Sequence, residues 1–286
     1  MNISNEWKDY ECIATGNKEK LERFGNIILN RPDPSIVWHK TNNPVWQKWD
    51  GYYHRSNTGG GKWEFKTKLP EFWTINYKDL TFKVSPTNFK HTGIFPEQAT
   101  NWDYIIDQIK NSNIKDFRVL NLFAYTGCAT MAASYAGAKE VVHVDSSKGI
   151  IDWAKENMKL SHLENNTIRF IQDDVIKFLD REIRRGRTYH AIIMDPPSYG
   201  RGPNKEVWRL EDNIQELLDK TKLLLDKDYS FLLINSYTTG LSPTSLKNIL
   251  TLTFKNNKIE TGEIGLPVSE NNLVLPCGIY GKVSKN

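Results

Sequence analysis

From about Asn101 onward, apolar segments of strand length alternate with amphipathic segments of helix length. This alternation restricts the fold more than any other feature, because it builds a mostly parallel sheet with helices on both faces. The predicted strands cover residues 117–122, 140–144, 167–171, 190–194 and 229–235, with late strands near residue 259 and over 278–283. The predicted helices cover residues 102–111, a segment ending near 136, and 147–161, 175–184, 210–225 and 243–252. In such α/β sheets ligands bind beyond the carboxyl ends of the strands.

The first hundred residues have a different character. Seven of the nine tryptophans lie within the first 102 residues, among strand-like segments separated by glycine and proline turns. Strands are expected over residues 10–14, 26–29, 63–67, 72–77 and 80–84, and one short helix over 18–24. The chain is therefore expected to have a small β-rich domain over residues 1–100 and an α/β domain over 101–286.

Composition narrows the class of protein. The formal charge of +4 permits an anionic partner without requiring one. Three widely spaced cysteines, Cys12, Cys128 and Cys277, argue against a disulfide framework and against a zinc site. The amino terminus lacks the apolar run of a signal peptide, and the apolar stretches are too short to span a membrane. A cytoplasmic protein without a metal is expected.

The loop after the first strand of the α/β region suits a nucleoside. The phosphate-binding pattern G-x-G-x-x-G is absent, so a pyrophosphate is not expected there. A single glycine among small and polar neighbours favours a nucleoside without phosphate, although an ordinary tight turn explains the same residues. The candidate cofactor residues of this loop are Asn121, Phe123, Ala124, Tyr125, Thr126 and Gly127.

Acidic residues follow the second and third strands. Asp145, with Ser146 beside it, is placed to accept hydrogen bonds from both hydroxyls of a ribose bound over the first loop. Asp173 is placed to accept a hydrogen bond from an adenine amino group, with Asp174 next to it. Capping of the following helices is the alternative for both aspartate positions.

The fourth strand ends in Asp195-Pro196-Pro197-Ser198-Tyr199, which is the most specific local motif. Two consecutive prolines fix φ and remove two N–H donors, so the strand stops and a rigid, extended loop begins. Asp195 is then held at the sheet edge, and Tyr199 is placed to stack on a nucleobase. A simple strand-stopping turn is the alternative.

Together these motifs resemble the class I S-adenosylmethionine-dependent methyltransferases, whose catalytic domain is Rossmann-like. More narrowly, the chain is similar to bacterial large-subunit rRNA methyltransferases that make 5-methylcytosine or 7-methylguanosine. The similarity begins near Lys90 and includes an upstream stretch with Phe95 and Gln98, which the resemblance places over the methionine end of the cofactor. The opening residues 20–25 and 31–34 look typical of a subgroup with a short β-rich domain and no PUA domain.

The resemblance implies S-adenosylmethionine as the cofactor and RNA, most specifically 23S rRNA, as the partner. It assigns catalytic roles to Asp195, Pro196, Pro197 and Tyr199, with Asp195 also at the cofactor. Residues 101–286 would form the catalytic domain, and residues 1–100 would contact the RNA. Substrates other than RNA, and a non-catalytic RNA-binding module with this fold, are the alternatives.

The methylated atom must be decided by chemistry. Methylation of cytosine C5 needs a transient adduct with a cysteine thiolate. The loops after the fourth and fifth strands, residues 195–199 and 235–240, contain no cysteine. Guanine N7 has an exposed lone pair and no proton to lose, so it is the favoured target. An exocyclic amine is the nearest rival.

Asp195 and Asn235 are expected to hold the guanine edge or the cofactor, while Pro196, Pro197 and Tyr199 shape the base pocket. Two basic segments, the arginines between 181 and 187 and residues 201–205, are candidates for phosphate contact, with a solvated helix end as the alternative for the first. The arginines of the first segment are Arg181, Arg184, Arg185 and Arg187.

Overall fold

The computed structural model describes residues 1–56, 60–201 and 207–285. The chain divides into two compact units. The first contains Met1–Thr100 together with Ile264–Cys277, and the second contains Asn101–Glu263 together with Gly278–Asn286. The division expected from the sequence was contiguous, whereas in the structure a late segment belongs with the first unit.

The first unit is rich in β-structure. Its strands are β1 (Asn2–Ile3), β2 (Tyr10–Gly16), β3 (Glu19–Phe24), β4 (Ile27–Pro32), β5 (Gly51–Arg55), β6 (Gly61–Phe65), β7 (Trp73–Tyr77) and β8 (Leu80–Val84). Strands β2 to β6 form one sheet in sequence order, and β7 and β8 form a separate hairpin. Within the sheet, β4 and β5 are parallel and the other neighbouring strands are antiparallel. Short 3₁₀ helices cover Pro44–Gln47 and Pro96–Gln98.

The helix predicted over residues 18–24 is wrong, because this segment forms strand β3. Asn17 and Lys18 have φ values of +50° and +63°, so they make a two-residue hairpin turn that returns the chain antiparallel to β2. The run of Lys, Glu, Leu and Arg favours a helix locally. Tertiary contacts override that preference, since the Glu22 side chain is fully buried against Arg31 of β4.

A late segment joins the first unit through backbone pairing. Asn2 and Ile3 of β1 pair in parallel with Ile264 and Gly265. Cys12 forms a parallel bridge with Val268. These backbone hydrogen bonds explain why residues 264–277 cluster with the amino-terminal strands although they are distant in sequence.

The remaining strands follow the predicted alternation with helices. They are β9 (Arg118–Leu122), β10 (Glu140–Asp145), β11 (Ile168–Gln172), β12 (Ala191–Met194), β13 (Tyr199–Arg201), β14 (Val207–Arg209), β15 (Phe231–Ser236), β16 (Lys258–Pro267) and β17 (Val274–Ser284). The helices are α1 (Ala99–Lys110), α2 (Cys128–Tyr135), α3 (Lys148–Leu160), α4 (Val175–Arg184), α5 (Leu210–Leu224) and α6 (Pro243–Thr253). No helix in the described parts of the chain is long and apolar enough to cross a membrane.

The main sheet has the order β16-β17-β15-β12-β9-β10-β11 in this part of the chain. Strands β15, β12, β9, β10 and β11 are parallel, and β17 is antiparallel to β15. The prediction of a mostly parallel α/β sheet is confirmed. The chain runs outward from β9 to β11 and then returns to the other side of β9 as β12. The strand order reverses between β9 and β12, so the crevice for a ligand lies beyond the carboxyl ends of these two strands.

One face of this sheet packs on a large apolar cluster. Alternate residues of the central strands, such as Leu120, Val142, Ile192 and Leu232, are fully buried against helices α4, α5 and α6. Burial of this kind fixes the strand register, because a slip of one residue would turn each apolar side chain to the opposite face. The core therefore holds the strand ends, and the loops that follow them, in fixed positions.

Candidate active site

Backbone hydrogen bonds bring the loops after β9, β10 and β11 together at one edge of the sheet. The Ala124 N–H donates to the carbonyl of Val144 at 3.0 Å. The Asp173 N–H donates to the carbonyl of Asp145, also at 3.0 Å. The acids that the sequence placed after separate strands are therefore neighbours at a single edge, as parallel strands require.

Asp145 is held by backbone amides rather than by a cation. Its Oδ2 accepts from the Tyr125 N–H at 3.0 Å, and its Oδ1 accepts from the Ser147 N–H at 2.9 Å. Within the described ranges it forms no ion pair. Burial raises the pKa of Asp145, against the lowering effect of hydrogen bonds from the amides of Ser147, Tyr125 and Ser146. A carboxylate has about four lone-pair sites and these three amides use three of them, so about one remains for a ribose hydroxyl.

The structure separates the roles of Asp174 and Asp173. Asp174 is the N-cap of α4, and its Oδ1 accepts from the Lys177 N–H at 3.0 Å. Asp173 accepts from the Asp174 N–H at 2.9 Å and forms an ion pair with Arg181. Capping thus explains Asp174 without a ligand, whereas the adenine role of Asp173 stays a prediction.

The loop between β9 and α2 has a strained backbone. Phe123 and Tyr125 have φ values of +53° and +50°, which side chains with a Cβ seldom adopt. Gly127 has a φ of +83°, and a Cβ added there would lie 3.1 Å from the Cβ of Ala154. The turn and the packing against α3 both require a glycine here, and its predicted approach to the cofactor stays a prediction. Strained backbone at the end of a central strand is typical of functional sites.

A buried polar network lies beneath this loop. The Asn121 side-chain amide donates to the Thr130 hydroxyl at 2.9 Å, and that hydroxyl contacts Nδ1 of His143 at 2.9 Å. The Asn157 side-chain amide donates to the carbonyl of Thr126 at 2.9 Å, which ties the loop to α3. Asn121 therefore supports the loop from below, and its predicted contact with the cofactor stays a prediction.

The loop after β12 lies at the same sheet edge. The Asp195 N–H donates to the carbonyl of Leu122 at 3.4 Å. Pro196 is buried and Pro197 is exposed. Tyr199 begins the short strand β13 and is 51% exposed, so its ring is accessible to a base. This arrangement agrees with a rigid corner that presents an aromatic side chain to solvent.

Trp208 connects the diproline loop to the loop after β9, and sequence analysis did not identify it. Its Nε1 donates to the carbonyl of Pro197 at 2.6 Å, and its ring lies 5.4 Å from the ring of Phe123. It belongs to β14, which pairs with the strand of Tyr199. One feature of the sequence could have drawn attention to Trp208: only Trp153 and Trp208 lie beyond residue 102, away from the other tryptophans.

Asn235 and the two basic segments were predicted to contact the substrate or the cofactor, and the structure places them in different surroundings. Asn235 is buried and accepts from the Asn101 side-chain amide at 2.9 Å. Arg185 is paired with Glu182, and Arg187 is paired with Glu140. These ion pairs favour a structural role for the first basic segment. Residues 202–206 of the second basic segment, and the side chain of Arg201, lie outside the described residues.

Phe95 and Gln98 lie in the first unit, at the 3₁₀ helix Pro96–Gln98. Phe95 is the N-cap residue of that helix, and the Gln98 N–H donates to its carbonyl at 3.0 Å. Gln98 is buried. The contact of these two residues with the cofactor stays a prediction. Among the described residues, no group of three or more His, Cys, Asp or Glu side chains is arranged to hold a metal ion.

Comparison with known proteins gives the family. The sequence model of the S-adenosylmethionine-dependent methyltransferases matches residues 41–237, more than half of the chain. The chain belongs to this family. A SAM-dependent methyltransferase from Agrobacterium tumefaciens is 34% identical, with a TM-score of 0.93 over 100% of this chain and 93% of that one. The Rossmann-like methyltransferase fold and the cofactor, S-adenosylmethionine, are thereby confirmed for this methyltransferase.

Two further relatives extend the comparison. The ribosomal RNA large subunit methyltransferase K/L of Pseudoalteromonas translucida (strain TAC 125) is 33% identical over 201 residues, which are 67% of this chain and 24% of the relative. The methyltransferase spans about a quarter of the length of the curated relatives it matches. SMU.776, described as a methyltransferase complexed with SAH, is 18% identical with a TM-score of 0.75, covering 98% of this chain and 76% of that one. At that identity the likeness shows the fold alone.

Proposed function

We propose that this methyltransferase transfers a methyl group from S-adenosylmethionine to a base of large-subunit ribosomal RNA, and that the target atom is N7 of a guanine. The rRNA substrate is supported by the name of the relatives that share a third of its residues over two thirds of the chain. In this proposal residues 101–286 are the catalytic domain, and the amino-terminal unit contacts the RNA.

The observation that supports N7 over cytosine C5 is the state of the three cysteines. A C5 methyltransferase needs a thiolate that attacks C6 of the base. Cys128 is buried at the start of α2, and burial raises its pKa to about 12. Cys12 and Cys277 belong to the other unit, and burial raises the pKa of each thiol as well. At neutral pH these thiols stay protonated, so none is a ready nucleophile.

Methylation at guanine N7 needs fewer catalytic groups than methylation at cytosine C5. The N7 lone pair attacks the methyl carbon while the carbon–sulfur bond breaks, and no proton has to leave. The protein must align the two reactants and exclude other nucleophiles. The cofactor supplies the electrophilic methyl group. Asp145 would accept from a ribose hydroxyl, Asp173 from the adenine, and Tyr199 would stack on the guanine.

Asp195 has an electrostatic role in this proposal. The guanine gains a positive charge when N7 is methylated, and a carboxylate at the strand end stabilises that charge as it develops. The rigid backbone of Pro196 and Pro197 keeps the carboxylate at the sheet edge. Trp208 holds the same loop through its hydrogen bond to the Pro197 carbonyl.

Product analysis tests the proposal. Purified protein is incubated with labelled S-adenosylmethionine and rRNA from a strain that lacks the gene, and the digested nucleosides are separated by mass spectrometry. We expect labelled 7-methylguanosine, made equally well by Cys128→Ala. Labelled 5-methylcytosine, or loss of all product in Cys128→Ala, would contradict the N7 assignment. Labelled N²-methylguanosine would instead support the exocyclic-amine rival, and absence of label in RNA would reject the substrate class.

A further inference from the structure

The first unit contains a polar and aromatic pocket of about 550 Å³, distinct from the strand-end site. It is lined by residues of the segment 40–49 and by side chains from β4, β5 and β6. Pockets for small organic groups are usually about 300–1,000 Å³, so the volume is sufficient for a nucleobase and part of its sugar. The residues on which the argument depends are Asn30, Lys40, Trp46, Trp49, Tyr52 and His54.

Aromatic rings form one wall of this pocket. Tyr52 and His54 are stacked, with ring centroids 4.0 Å apart and an interplanar angle of 28°. Trp49 packs edge-on against Tyr52 at 5.6 Å. The His54 side chain is 49% exposed, and its Nε2 lies 2.6 Å from a carboxylate oxygen of Glu64, so the pair leaves part of the ring accessible to a ligand. Aromatic platforms of this kind bind bases without strict sequence preference.

Two buried polar atoms in the lining residues have no hydrogen-bond partner among the residues that the structure describes. They are Nε1 of Trp46, a donor, and Oδ1 of Asn30, an acceptor. Trp46 is 7% exposed and Asn30 is 1% exposed. Both atoms are fully buried, so a ligand in the pocket would reach them only after the surrounding side chains moved, and the surface that it meets first is aromatic.

Two lysines lie beside the tryptophan rings of this pocket, and the lining also includes one acidic residue, Glu64. The Lys40 ammonium lies 4.1 Å from the Trp46 ring centroid, and the Lys66 ammonium lies 4.3 Å from that of Trp49. Cations beside aromatic rings suit a chain in which phosphates alternate with bases.

We propose that this pocket binds an unstacked base in a single-stranded part of the RNA substrate, with the neighbouring lysines contacting its phosphates. The inference rests on the proposed RNA substrate and adds a second point of contact, remote in sequence from the strand-end loops. Single-stranded RNA fits better than duplex RNA, because paired bases cannot insert a ring between side chains.

The pocket is tested by measuring, through fluorescence anisotropy, the binding of a labelled single-stranded RNA. A length of about ten nucleotides is suitable, because aromatic platforms for single strands usually cover about 4–16 nucleotides. His54→Ala and Lys66→Gln are the test variants. We expect each to weaken binding by about five-fold or more, as loss of one stacked base or its flanking cation does. The duplex of the same sequence should bind more weakly than the single strand.

Two matched variants serve as controls. His39→Ala removes an exposed histidine that does not line the pocket. Lys83→Gln removes a lysine of β8 that lies 4.7 Å from the ring centroid of Phe72, in the same kind of contact as Lys66. Both controls should bind the single strand within about two-fold of the unmodified protein. Equal losses in test and control variants, unchanged binding in the test variants, or stronger binding of the duplex would overturn the proposal.

Calorimetry with S-adenosylhomocysteine separates this proposal from the proposed function. The His54→Ala and Lys66→Gln variants should bind S-adenosylhomocysteine as the unmodified protein does. Normal rRNA methylation together with RNA binding that the test variants leave unchanged would reject the pocket alone. Binding of single-stranded RNA at the pocket without any methyl transfer to rRNA would reject the proposed function and keep the pocket.

Discussion

Two carboxylates, one in each unit, are bound by the protein in opposite ways. Glu22 of β3 is fully buried and accepts two hydrogen bonds from Arg31, at 2.7 and 2.8 Å, and one from Tyr10 at 2.8 Å. Burial alone would raise the pKa of Glu22, but the charges of Arg31 and Lys20 and these hydrogen bonds hold it below its ordinary value. Asp145 has only backbone amides for partners among the described residues, and its pKa is raised.

The difference teaches how to recognise a carboxylate that is ready for a ligand. The charge of Glu22 is neutralised by a cation, and its lone pairs are used within the protein, so its role is structural. The Asp145 carboxylate is held only by backbone amides, which do not neutralise its charge. A ribose hydroxyl that donates a hydrogen bond would therefore stabilise it further. Substitutions at Glu22 and Asp145 test this contrast directly and those at His143 and Tyr199 test the surroundings of the site, beginning with the largest expected effect.

Removal of the Glu22 charge should destabilise the protein most. Glu22→Gln leaves the Arg31 guanidinium buried without its counter-charge, which costs about 3–5 kcal/mol of unfolding free energy. Urea unfolding measures this loss. The control is Glu11→Gln, because the half-exposed pair of Glu11 and Arg23 contributes at most about 1 kcal/mol. Equal losses in the two variants would show that Glu22 is not held as described.

His143 is a buried ionisable group that has no charged partner among the residues for which the structure gives contacts. Burial lowers its pKa to about 3, whereas an unfolded histidine titrates near 6.5. The unfolded state therefore takes up the proton first, and stability falls as pH decreases from about 6.5 toward 3, by about 1.4 kcal/mol per pH unit. Urea unfolding at pH 7 and pH 4.5 should show about 3 kcal/mol of this loss. In His143→Gln that part of the pH dependence should disappear, and its persistence would contradict the assignment.

Asp145→Asn should weaken cofactor binding without unfolding the protein. We expect the free energy of S-adenosylhomocysteine binding to fall by about 1–3 kcal/mol, because the ribose loses a charged acceptor. For the unmodified protein, affinity should decrease as pH falls through the raised pKa of Asp145, since the protonated group accepts less well. Calorimetry measures both effects. Asp152→Asn, at an exposed position of α3, is the matched control, and equal affinities of the two variants would reject the ribose role.

The smallest effect is expected at Tyr199. Tyr199→Ala removes the exposed ring and should lower turnover on rRNA about tenfold, equivalent to about 1.4 kcal/mol of stacking, with cofactor affinity unchanged. Tyr199→Phe keeps the ring and should retain most of the activity. Methyl incorporation and calorimetry are measured on the same preparations. A loss of cofactor affinity in Tyr199→Ala with normal turnover would place the ring at the cofactor instead.

Prediction from sequence succeeded best in the α/β unit. The observed bounds of β10, α4 and α5 differ by at most one residue from the segments predicted near residues 140–144, 175–184 and 210–225. Long apolar runs and periodic helices are local signals, and the tertiary structure of this unit agrees with them. The sequence also placed Asp145, Asp173 and Asp195 correctly at strand ends, because parallel strands share one carboxyl edge.

Prediction was weaker in the β-rich unit. Strand β5 (Gly51–Arg55) was not anticipated, because its short sequence has aromatic and charged residues rather than a clear alternation. The helix expected over residues 18–24 became β3, since the burial of Glu22 depends on an arginine nine residues away. Short strands whose polar side chains are buried give no reliable local pattern.

What the sequence determined by itself was the alternating order of strands and helices, the acids at the strand ends and the stiff diproline corner, because each depends on neighbours a few residues away. Only the tertiary structure decided that residues 264–277 pair with the amino-terminal strands, that Asn121 supports its loop from below, and that Trp208 joins two loops. These features depend on contacts between distant segments. Such contacts form only when burial of the whole core outweighs the entropy of bringing those segments together.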